Sequence, residues 1–538
     1  MRLQRSPLSA ALFASISVAA PASIQDQCSK LASNLAIENA TVHFAEYVTA
    51  GTNLTFPDAD PSCNQRPLVV DVDFCRVALD VATTSKSGIT MEAWLPQSWS
   101  GRFLTTGNGG LTGCLAYDTM AYTVGLGFAS VGANNGHNGS TGVSFLNNPE
   151  TINDFAWRSV HTNTVVGKQI SETFYHKKHT KSYFIACSTG GRQGFKSAQS
   201  FPEDFDGIVA GAPAIDYNNY VSWASHFYIL TGPPGSPTYL TPEQWDTVHA
   251  DVMAQCDGLD GSVDGILEEP SLCQYHPESL ICPPGTPANT STCLTGRQAG
   301  HVRAVFSDLH GEDGMPVYPR LRPGAEAHNS LLSGQPFAFA LDWFTHAVYN
   351  GSAPAPETMG PADWAFVDAV NPGDIRTWSG DLSATRDRGA KILQYHGLQD
   401  PIMSDGISSR YYDYVARTMS LSHAAMDDFY RYFRISGMEH CFGGPGATNI
   451  GQRSRETAPS LDPEENVLTA VVRWVEEGKA PDTITGTAFV DGNGHYGNGG
   501  QPIGTEVDFK RRHCRYPFRN VHTGKGDPKD PDSWECVL

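Results

Sequence analysis

Hydrophobic side chains follow two different spacings along the first half of the chain. In residues 157–175 they recur every three or four positions, which predicts an amphipathic helix packed on a sheet. Residues 182–186 and 205–212 are short apolar runs on either side of a second helical stretch, and each predicts a buried strand. This order of strand, helix and strand predicts a parallel sheet covered by helices, the architecture of an α/β protein.

The α/β pattern stops near residue 215 and resumes at residues 391–395, an apolar run that predicts another buried strand. The segment between them, 216–378, carries turn residues, cysteines and scattered aromatic residues without a repeat. Because it is far longer than an ordinary loop, it predicts a lid domain inserted into the α/β domain. The α/β domain is then formed by residues 23–215 and 379–538, and the total length of 538 residues suits two domains.

A last amphipathic helix is predicted at residues 463–477. Asp462 stands at its N-cap position and Pro463 at its first helical position, while Glu465 completes a capping box. Gly478 follows the last turn, as is typical of a helix end.

Composition and charge exclude two classes of partner. The chain carries 57 acidic residues against 37 Lys and Arg, a formal net charge of −20. A surface this acidic repels phosphate backbones, which argues against a nucleic-acid partner. Beyond the N-terminus, no apolar run approaches the roughly 20 residues that span a bilayer, so a membrane partner is not expected either.

The N-terminus predicts a signal peptide over residues 1–22. Arg2 and Arg5 form a basic start, residues 8–20 are apolar, and residues 20–22 (Ala-Pro-Ala) form a small-residue cleavage site. We therefore expect a secreted, extracellular protein. Sequons for N-glycosylation agree with export, and they begin at Asn39, Asn53, Asn138, Asn289 and Asn350.

All 12 cysteines follow the predicted signal peptide, which suits an oxidising compartment. Their spacing separates an N-terminal group, a group in the lid and a C-terminal pair, namely Cys28, Cys63, Cys75 and Cys114; Cys256, Cys273, Cys282 and Cys293; and Cys514 and Cys536. The pairing inside each group of four stays open. No C-x-x-C spacing occurs, which argues against structural zinc.

Residues 186–190 (Ala-Cys-Ser-Thr-Gly) have the small-x-Ser-x-Gly form of a nucleophile elbow, a sharp turn between a strand and a helix. Small residues are needed there because the backbone doubles back on itself. The predicted strand before Ser188 and the predicted helix after it supply the context that this motif requires. Ser188 is therefore the candidate nucleophile.

A serine nucleophile needs a base and a carboxylate that orients the base, and in hydrolases of this kind they follow in the order Ser, Asp, His. Asp400 follows the predicted strand at 391–395, and His440 precedes the last helix. The two cysteines outside the groups above are Cys187, directly before Ser188, and Cys441, directly after His440. A bond between them would bring their Cα atoms to roughly 5.5 Å and hold the base within reach of the nucleophile.

A tetrahedral intermediate also needs hydrogen-bond donors for its oxyanion. The backbone N–H of Thr189, directly after the nucleophile, is one candidate. A second donor is expected from the glycine-rich run that follows an early strand, at Gly110 or Gly109.

In Cys187-Ser188, Asp400 and His440-Cys441 the chain resembles the tannase and feruloyl esterase family, whose fungal members carry a Cys-Ser, Asp and His-Cys arrangement. The resemblance extends from CSTGGRQG and YHGLQD to the C-terminal HCRYP, GKGDPKD and WEC stretches. It implies an α/β-hydrolase fold with a large lid, no organic cofactor, and extracellular hydrolysis of phenolic esters, whether small molecules or feruloylated polysaccharide fragments. Hydroxycinnamoyl esters are the leading expectation and gallate esters, the substrates of tannases, the alternative. A catalytically inactive binding module is a third hypothesis. The chain is expected to be a monomer or a homodimer.

The lid carries two further candidate sites. Residues 257–268 place carboxylates at short intervals between glycines, which suits a hard cation, although the spacing departs from an EF-hand loop. The resemblance implies structural calcium held by the side chains of Asp257, Asp260 and Asp264 and the carbonyls of Ser262 and Ile266. Aromatic residues farther along either line an acyl pocket or form the core of the lid, and they are Phe337, Phe339, Trp343, Phe344 and Tyr349.

Overall fold

A nine-stranded sheet forms the centre of the molecule in the computed structural model, which describes residues 23–286, 291–490, 492, 504 and 506–538. Its strands in chain order are β1 (Ala40–Val48), β4 (Phe74–Ala82), β5 (Gly88–Pro96), β6 (Arg102–Thr106), β7 (Ala129–Ala133), β8 (Lys181–Cys187), β9 (Gly207–Gly211), β12 (Lys391–Gly397) and β13 (Tyr430–Ile435). The remaining strands form two-stranded pairs, and they are β2 (Asn53–Leu54), β3 (Leu68–Val69), β10 (Leu309–His310), β11 (Pro316–Tyr318), β14 (Thr483–Phe489), β15 (Val507–Cys514), β16 (Arg519–His522) and β17 (Trp534–Val537).

The spatial order of the central sheet is β1-β4-β5-β7-β6-β8-β9-β12-β13. The pairs β1–β4, β4–β5 and β5–β7 are antiparallel, and the pairs from β7–β6 to β12–β13 are parallel. The carboxyl ends of β6, β8, β9, β12 and β13 therefore meet at one edge, where loops can combine side chains from several strands. The predicted α/β-hydrolase fold is confirmed, and each of the predicted strands at 182–186, 205–212 and 391–395 lies in this sheet.

Helices cover both faces of the sheet, and further helices form the segment between β9 and β12. In chain order the helices are α1 (Ile24–Asn34), α2 (Tyr117–Gly125), α3 (Pro149–Asn153), α4 (Ser159–Tyr175), α5 (Thr189–Ser200), α6 (Tyr217–Thr231), α7 (Pro242–Cys256), α8 (Gly296–Val305), α9 (Ala338–Asp342), α10 (Pro361–Val370), α11 (Ser383–Asp387), α12 (Gly406–Thr418), α13 (His423–Met426) and α14 (Val467–Glu477). Side chains alternate across each strand. Phe184 accordingly packs on the face of α5, whereas Tyr183 and Ile185 pack on the face of α14.

Two helix boundaries differ from the prediction. The helix expected over 157–175 begins as a π-helical turn, Asp154–Arg158, and continues as α4. The last helix begins at Val467 instead of residue 463, because the buried side chain of Asn466 accepts hydrogen bonds from the first free N–H groups of α14. The predicted cap at Asp462 is therefore wrong, whereas Gly478 ends the helix in the left-handed conformation, as expected.

The segment predicted to be the lid leaves and re-enters the α/β domain at neighbouring points. The N–H of Thr377 donates to the carbonyl of Ile215 at 2.9 Å. Beside it, Arg376 Nε is 2.8 Å from Asp216 Oδ1. The described residues between these points contribute helices α6–α10 and the β10–β11 pair, and no strand of the central sheet. The division into a lid and an α/β domain stays a prediction, as do its boundaries, and the name lid is kept for the predicted segment, residues 216–378.

Every cysteine lies within the described residues and is disulfide-bonded. The bonds are Cys28–Cys75, Cys63–Cys114, Cys187–Cys441, Cys256–Cys273, Cys282–Cys293 and Cys514–Cys536. The grouping predicted from spacing is confirmed, and the structure supplies the pairing inside each group of four that the sequence left open.

The features that predict export are described by the structure only in part. The predicted signal peptide and the sequon at Asn289 lie outside the described residues. The asparagines of the other four sequons, Asn39, Asn53, Asn138 and Asn350, are exposed.

Among the described residues, no helix has the length and apolar character needed to span a membrane.

Candidate active site

Ser188 occupies the turn between β8 and α5 in a backbone conformation that L-residues rarely adopt, with φ 66° and ψ −127°. The turn is tight because a Cβ atom at Gly190 would lie 2.5 Å from the Cβ of Ala186, and one at Gly191 would overlap the carbonyl of Gly211. Hydrogen bonds fix the turn, since the N–H of Ser188 donates to the Gly211 carbonyl at 2.9 Å. The arrangement is a nucleophile elbow that holds a half-buried serine at the carboxyl edge of the sheet.

Asp400 and His440 reach this edge from loops that follow β12 and β13. The two loops touch at Gly397, where any side chain would overlap the backbone carbonyl of Glu439. Glycine at the end of β12 thus allows the loop of the histidine to cross directly over the strand. His440 Nδ1 is 2.6 Å from Asp400 Oδ2, and both side chains are buried.

The carboxylate of Asp400 is surrounded by donors. Its Oδ1 accepts hydrogen bonds from the N–H groups of Ile402 at 3.0 Å and Met403 at 2.9 Å. Burial alone would raise the pKa of Asp400, but the charge of His440 and hydrogen bonds from His396 and His440 hold that pKa at about 2. An ionised Asp400 accepts the Nδ1–H of His440, which leaves Nε2 of His440 with the lone pair that a general base needs.

The disulfide Cys187–Cys441 ties the elbow to the loop of His440. The Cα atoms of its cysteines are 5.9 Å apart, close to the separation that the sequence argument required. Cys441 itself has φ 72°, so the chain turns sharply directly after the histidine. The structure therefore brings Ser188, Asp400 and His440 to one edge of the sheet, in the order that the sequence predicted, while their catalytic roles stay a prediction.

The candidate oxyanion loop follows β6, the strand beside β8. Gly107 has no room for a side chain, since a Cβ atom there would lie 2.7 Å from Gln193 Oε1. The same oxygen accepts the N–H of Asn108 at 3.1 Å, and Gln193 Nε2 donates to Asn135 Oδ1 at 2.8 Å. Gln193 of α5 therefore fastens this loop to the helix that begins at Thr189. Sequence analysis missed Gln193, although it lies in the CSTGGRQG stretch.

Gly109 and Gly110 lie at the tip of this loop. Gly109 is exposed, and Gly110 has φ 54°. A Cβ atom at Gly110 would lie 2.9 Å from Cζ of Phe339, a half-buried residue of the lid. The lid thus presents an aromatic ring directly to the candidate oxyanion loop.

Some of the aromatic residues predicted to line an acyl pocket or to form the core of the lid are buried, and others are partly exposed. Trp343 and Phe344 are fully buried, and Trp343 packs against Phe155 and Tyr217, so these side chains belong to the core. Phe337 and Phe339 are partly exposed and pack edge to face, with ring centroids 5.3 Å apart. Tyr349 is also partly exposed and stacks on Phe344, with ring centroids 6.4 Å apart. Of this group, Phe339 is the residue in contact with the candidate site.

His396 is a second residue that sequence analysis missed. It lies in β12, is fully buried, and places Nε2 3.2 Å from Asp400 Oδ2. The signal was its position four residues before Asp400 at the end of a predicted strand, a spacing that brought both side chains to the same edge.

In the acidic loop of the lid, residues 257–268, only some of the predicted carboxylate ligands point inward. Asp257 and Asp260 are buried, and Asp257 Oδ1 accepts no hydrogen bond. Burial, with Glu268 and Asp264 nearby, raises the pKa of Asp260 to about 7. Asp264 Oδ2 instead pairs with Arg511 Nη2 at 2.8 Å. Within the described residues, no three Asp, Glu, His or Cys side chains meet as a metal centre, so a cation here would also need carbonyl ligands.

Comparison with known proteins agrees with this geometry. The family described as "Tannase and feruloyl esterase" matches residues 75–357 and 358–537. "Probable feruloyl esterase B-2" of Aspergillus oryzae is 48% identical over 525 residues, 97% of this chain and 97% of that protein. "Feruloyl esterase C" of Talaromyces stipitatus is 49% identical over 517 residues, 95% of each chain.

Solved structures extend the comparison to the fold. The crystal structure of feruloyl esterase B from Aspergillus oryzae superposes with a TM-score of 0.91 at 47% identity, covering 96% of this chain and all of that one. A tannin acyl hydrolase from Aspergillus niger superposes with a TM-score of 0.73 at 20% identity, over 97% of this chain and 96% of that one, and shares the fold. The resemblance stated from the motifs is confirmed: the chain belongs to the tannase and feruloyl esterase family.

Proposed function

We propose that this protein is a secreted serine esterase that hydrolyses hydroxycinnamoyl esters, feruloyl esters in particular. The observation that carries the proposal is the arrangement at the edge of the sheet. A strained serine, a buried Asp400–His440 pair and a disulfide between the residues next to Ser188 and His440 serve nucleophilic catalysis together.

In this mechanism His440 accepts the proton of the Ser188 hydroxyl as the oxygen attacks the ester carbonyl. The N–H of Thr189, with Gly110 or Gly109, stabilises the oxyanion of the tetrahedral intermediate. Collapse of the intermediate expels the alcohol, which takes the proton from His440 and leaves an acyl-enzyme on Ser188. Water, deprotonated by His440, then releases the acid. Asp400 stays ionised throughout and holds the imidazole in the required tautomer.

The choice of a hydroxycinnamoyl over a galloyl acyl group rests on the relatives. Those that are 48–49% identical over nearly the whole chain are named feruloyl esterases. The tannin acyl hydrolase, at 20% identity, supports the fold alone. The ring of Phe339 beside Gly110 supplies an aromatic surface close to the scissile bond, which suits an aromatic acid.

The test is a comparison of initial rates with methyl ferulate, methyl caffeate and methyl gallate at equal concentration, with the Ser188→Ala variant as the inactive reference. We expect ferulate or caffeate to be hydrolysed faster than gallate. A preference for gallate would assign the protein to the tannases instead. No hydrolysis of any of the three would favour a binding role.

Export is part of the proposal. Six disulfides, a basic and apolar N-terminus with a small-residue cleavage site, and four exposed sequon asparagines support it. N-terminal sequencing and glycopeptide mass spectrometry of protein from the culture medium test it. Cleavage after Ala22 and glycans on exposed sequons are the expected results.

We also propose that the lid binds calcium. The unpartnered buried oxygen of Asp257 and the buried carboxylate of Asp260 suit a hard cation, with the carbonyls of Ser262 and Ile266 completing the oxygen ligands. Asp264 would join them only by exchanging its contact with Arg511. The ion would crosslink the loop and take no part in the reaction.

A further inference from the structure

Two imidazoles share one oxygen of Asp400. His440 Nδ1 lies 2.6 Å from Asp400 Oδ2, and His396 Nε2 lies 3.2 Å from the same atom. The side chain of His396 is completely buried at the carboxyl end of β12, where it cannot exchange hydrogen bonds with bulk water. Its ring nitrogens must therefore be satisfied by the groups that surround them.

Those groups fix the tautomer of His396. Around Nε2 lie two acceptors, the ionised Asp400 and the carbonyl of Met403 at 3.3 Å, so Nε2 must carry a hydrogen. Nδ1 lies 2.7 Å from Oγ of Ser408, on α12. A hydroxyl can donate to a ring nitrogen that carries no hydrogen, so the Ser408 hydroxyl suits the tautomer of His396 with its hydrogen on Nε2.

The other titratable groups near the N-terminal end of α12 are either paired with an opposite charge or neutral. Asp405, whose carbonyl accepts the N–H of Ser408 at 2.9 Å, pairs with Arg322. The buried hydroxyl of Tyr318 stays neutral, because burial raises its pKa well above the ordinary value. The charges that face His396 are thus those of Asp400 and, when protonated, His440.

We propose that His396 is a positioning residue for the acid of the triad: its Nε2–H holds the Asp400 carboxylate in place, and the Ser408 hydroxyl sets the tautomer that makes this possible. With the two backbone N–H groups on Oδ1, the carboxylate has four donors and no freedom to rotate. Sharing Oδ2 between two imidazoles also spreads its charge, so it stabilises protonated His440 less than an unshared carboxylate would.

The inference rests on the proposed esterase function, and its test uses 4-nitrophenyl acetate, an ester that does not depend on the acyl preference. The variants are His396→Leu, which removes the donor, His396→Gln, which keeps an amide N–H, and Ser408→Ala, which removes the control of the tautomer. His301→Leu is the matched control, because His301 is also buried and within 3.4 Å of a hydroxyl, that of Thr231, but lies in the lid.

We expect His396→Leu to lower kcat about tenfold with KM unchanged, as a misplaced catalytic group costs turnover more than binding. The acid limb of kcat/KM against pH should move up by about half a pH unit, because the carboxylate then concentrates its charge on His440. His396→Gln should recover most of both effects, and Ser408→Ala should show the same changes to a smaller extent. His301→Leu should lower Tm without moving the acid limb.

Wild-type kcat and an unmoved acid limb in His396→Leu would overturn the proposal. So would a loss of kcat that the glutamine variant does not recover and that leaves the acid limb in place, since this is the signature of lost packing. If His396→Leu does not fold, Ser408→Ala decides by the same two measurements. An inactive wild-type protein would refute the proposed function itself, a result distinct from either of these.

Discussion

The disulfide Cys187–Cys441 should matter more to catalysis than to folding, and replacing both cysteines with alanine tests this. The bond is the most direct covalent path between the candidate nucleophile and base, because its cysteines adjoin Ser188 and His440 in sequence. It joins Cα atoms that are 5.9 Å apart and closes a loop with a sequence separation of 254 residues.

The two costs can be estimated separately. Chain-entropy arguments put a crosslink of this length at about 5 kcal/mol, an upper value because the other disulfides and the remaining structure already restrict the unfolded chain. The contact of the two loops at Gly397 and the hydrogen bonds of Asp400 remain in the variant, so the fold should survive. A displacement of His440 by about 1 Å costs on the order of 100-fold in kcat.

The assay is kcat with 4-nitrophenyl acetate beside Tm, and the control is replacement of Cys282 and Cys293. That bond joins cysteines with a sequence separation of 11 residues in the lid, for which the same argument gives about 3 kcal/mol. We expect the control to lose stability with kcat unchanged, and the Cys187–Cys441 variant to lose kcat by about 100-fold while it still folds. Full kcat in that variant would refute the reasoning.

Three other outcomes are expected. Ser188→Ala should lower kcat by about 10⁴-fold or more without a change in Tm, and a variant with a tenth of wild-type activity would exclude Ser188 as the nucleophile. A chelator should lower the Tm of the wild type but not of Asp260→Ala, and elemental analysis that finds no metal would contradict the calcium site. Because the pKa of Asp400 is depressed to about 2, its stabilising contribution is present above its unfolded pKa near 4 and lost as pH falls through 2. Urea unfolding between these pH values should therefore show a steeper loss of stability in the wild type than in Asp400→Asn, and equal slopes would contradict it.

The sequence was most informative where a short motif imposes a backbone shape. The elbow at 186–190 could be predicted because only small residues tolerate the turn, and the structure shows the overlaps that a side chain would cause at Gly190 and at the next residue, Gly191. The disulfide between the elbow and the loop of His440 could be predicted because both of its cysteines adjoin catalytic candidates. Local sequence carried both signals.

What could not be predicted depends on residues that are distant in the chain. The pairing of Cys28 with Cys75 follows from the packing of α1 against the sheet, since Cys28 lies in α1 and Cys75 in β4. The contact of Phe339 with Gly110 joins the lid to a loop more than two hundred residues earlier, and periodicity contains no information about it. The start of α14 lies four residues after the predicted one, because Asp462 and Asn466 satisfy the rule for a helix cap equally well and the burial of Asn466 decides between them.

His396 shows most clearly where reasoning from single residues ends. A histidine four positions before the candidate acid is a weak signal by itself, because the sequence does not distinguish it from a core histidine such as His301. The structure separates the two by their hydrogen-bond partners: His301 lies beside the hydroxyl of Thr231, whereas His396 lies between a hydroxyl and the carboxylate of Asp400. Since an ionised carboxylate accepts only from a nitrogen that carries a hydrogen, the partners determine the tautomer, and the tautomer determines whether the ring can hold Asp400 for His440. The positioning role therefore belongs to the network of Ser408, His396, Asp400 and His440, which exists only once β12, α12 and the loop after β13 have folded together.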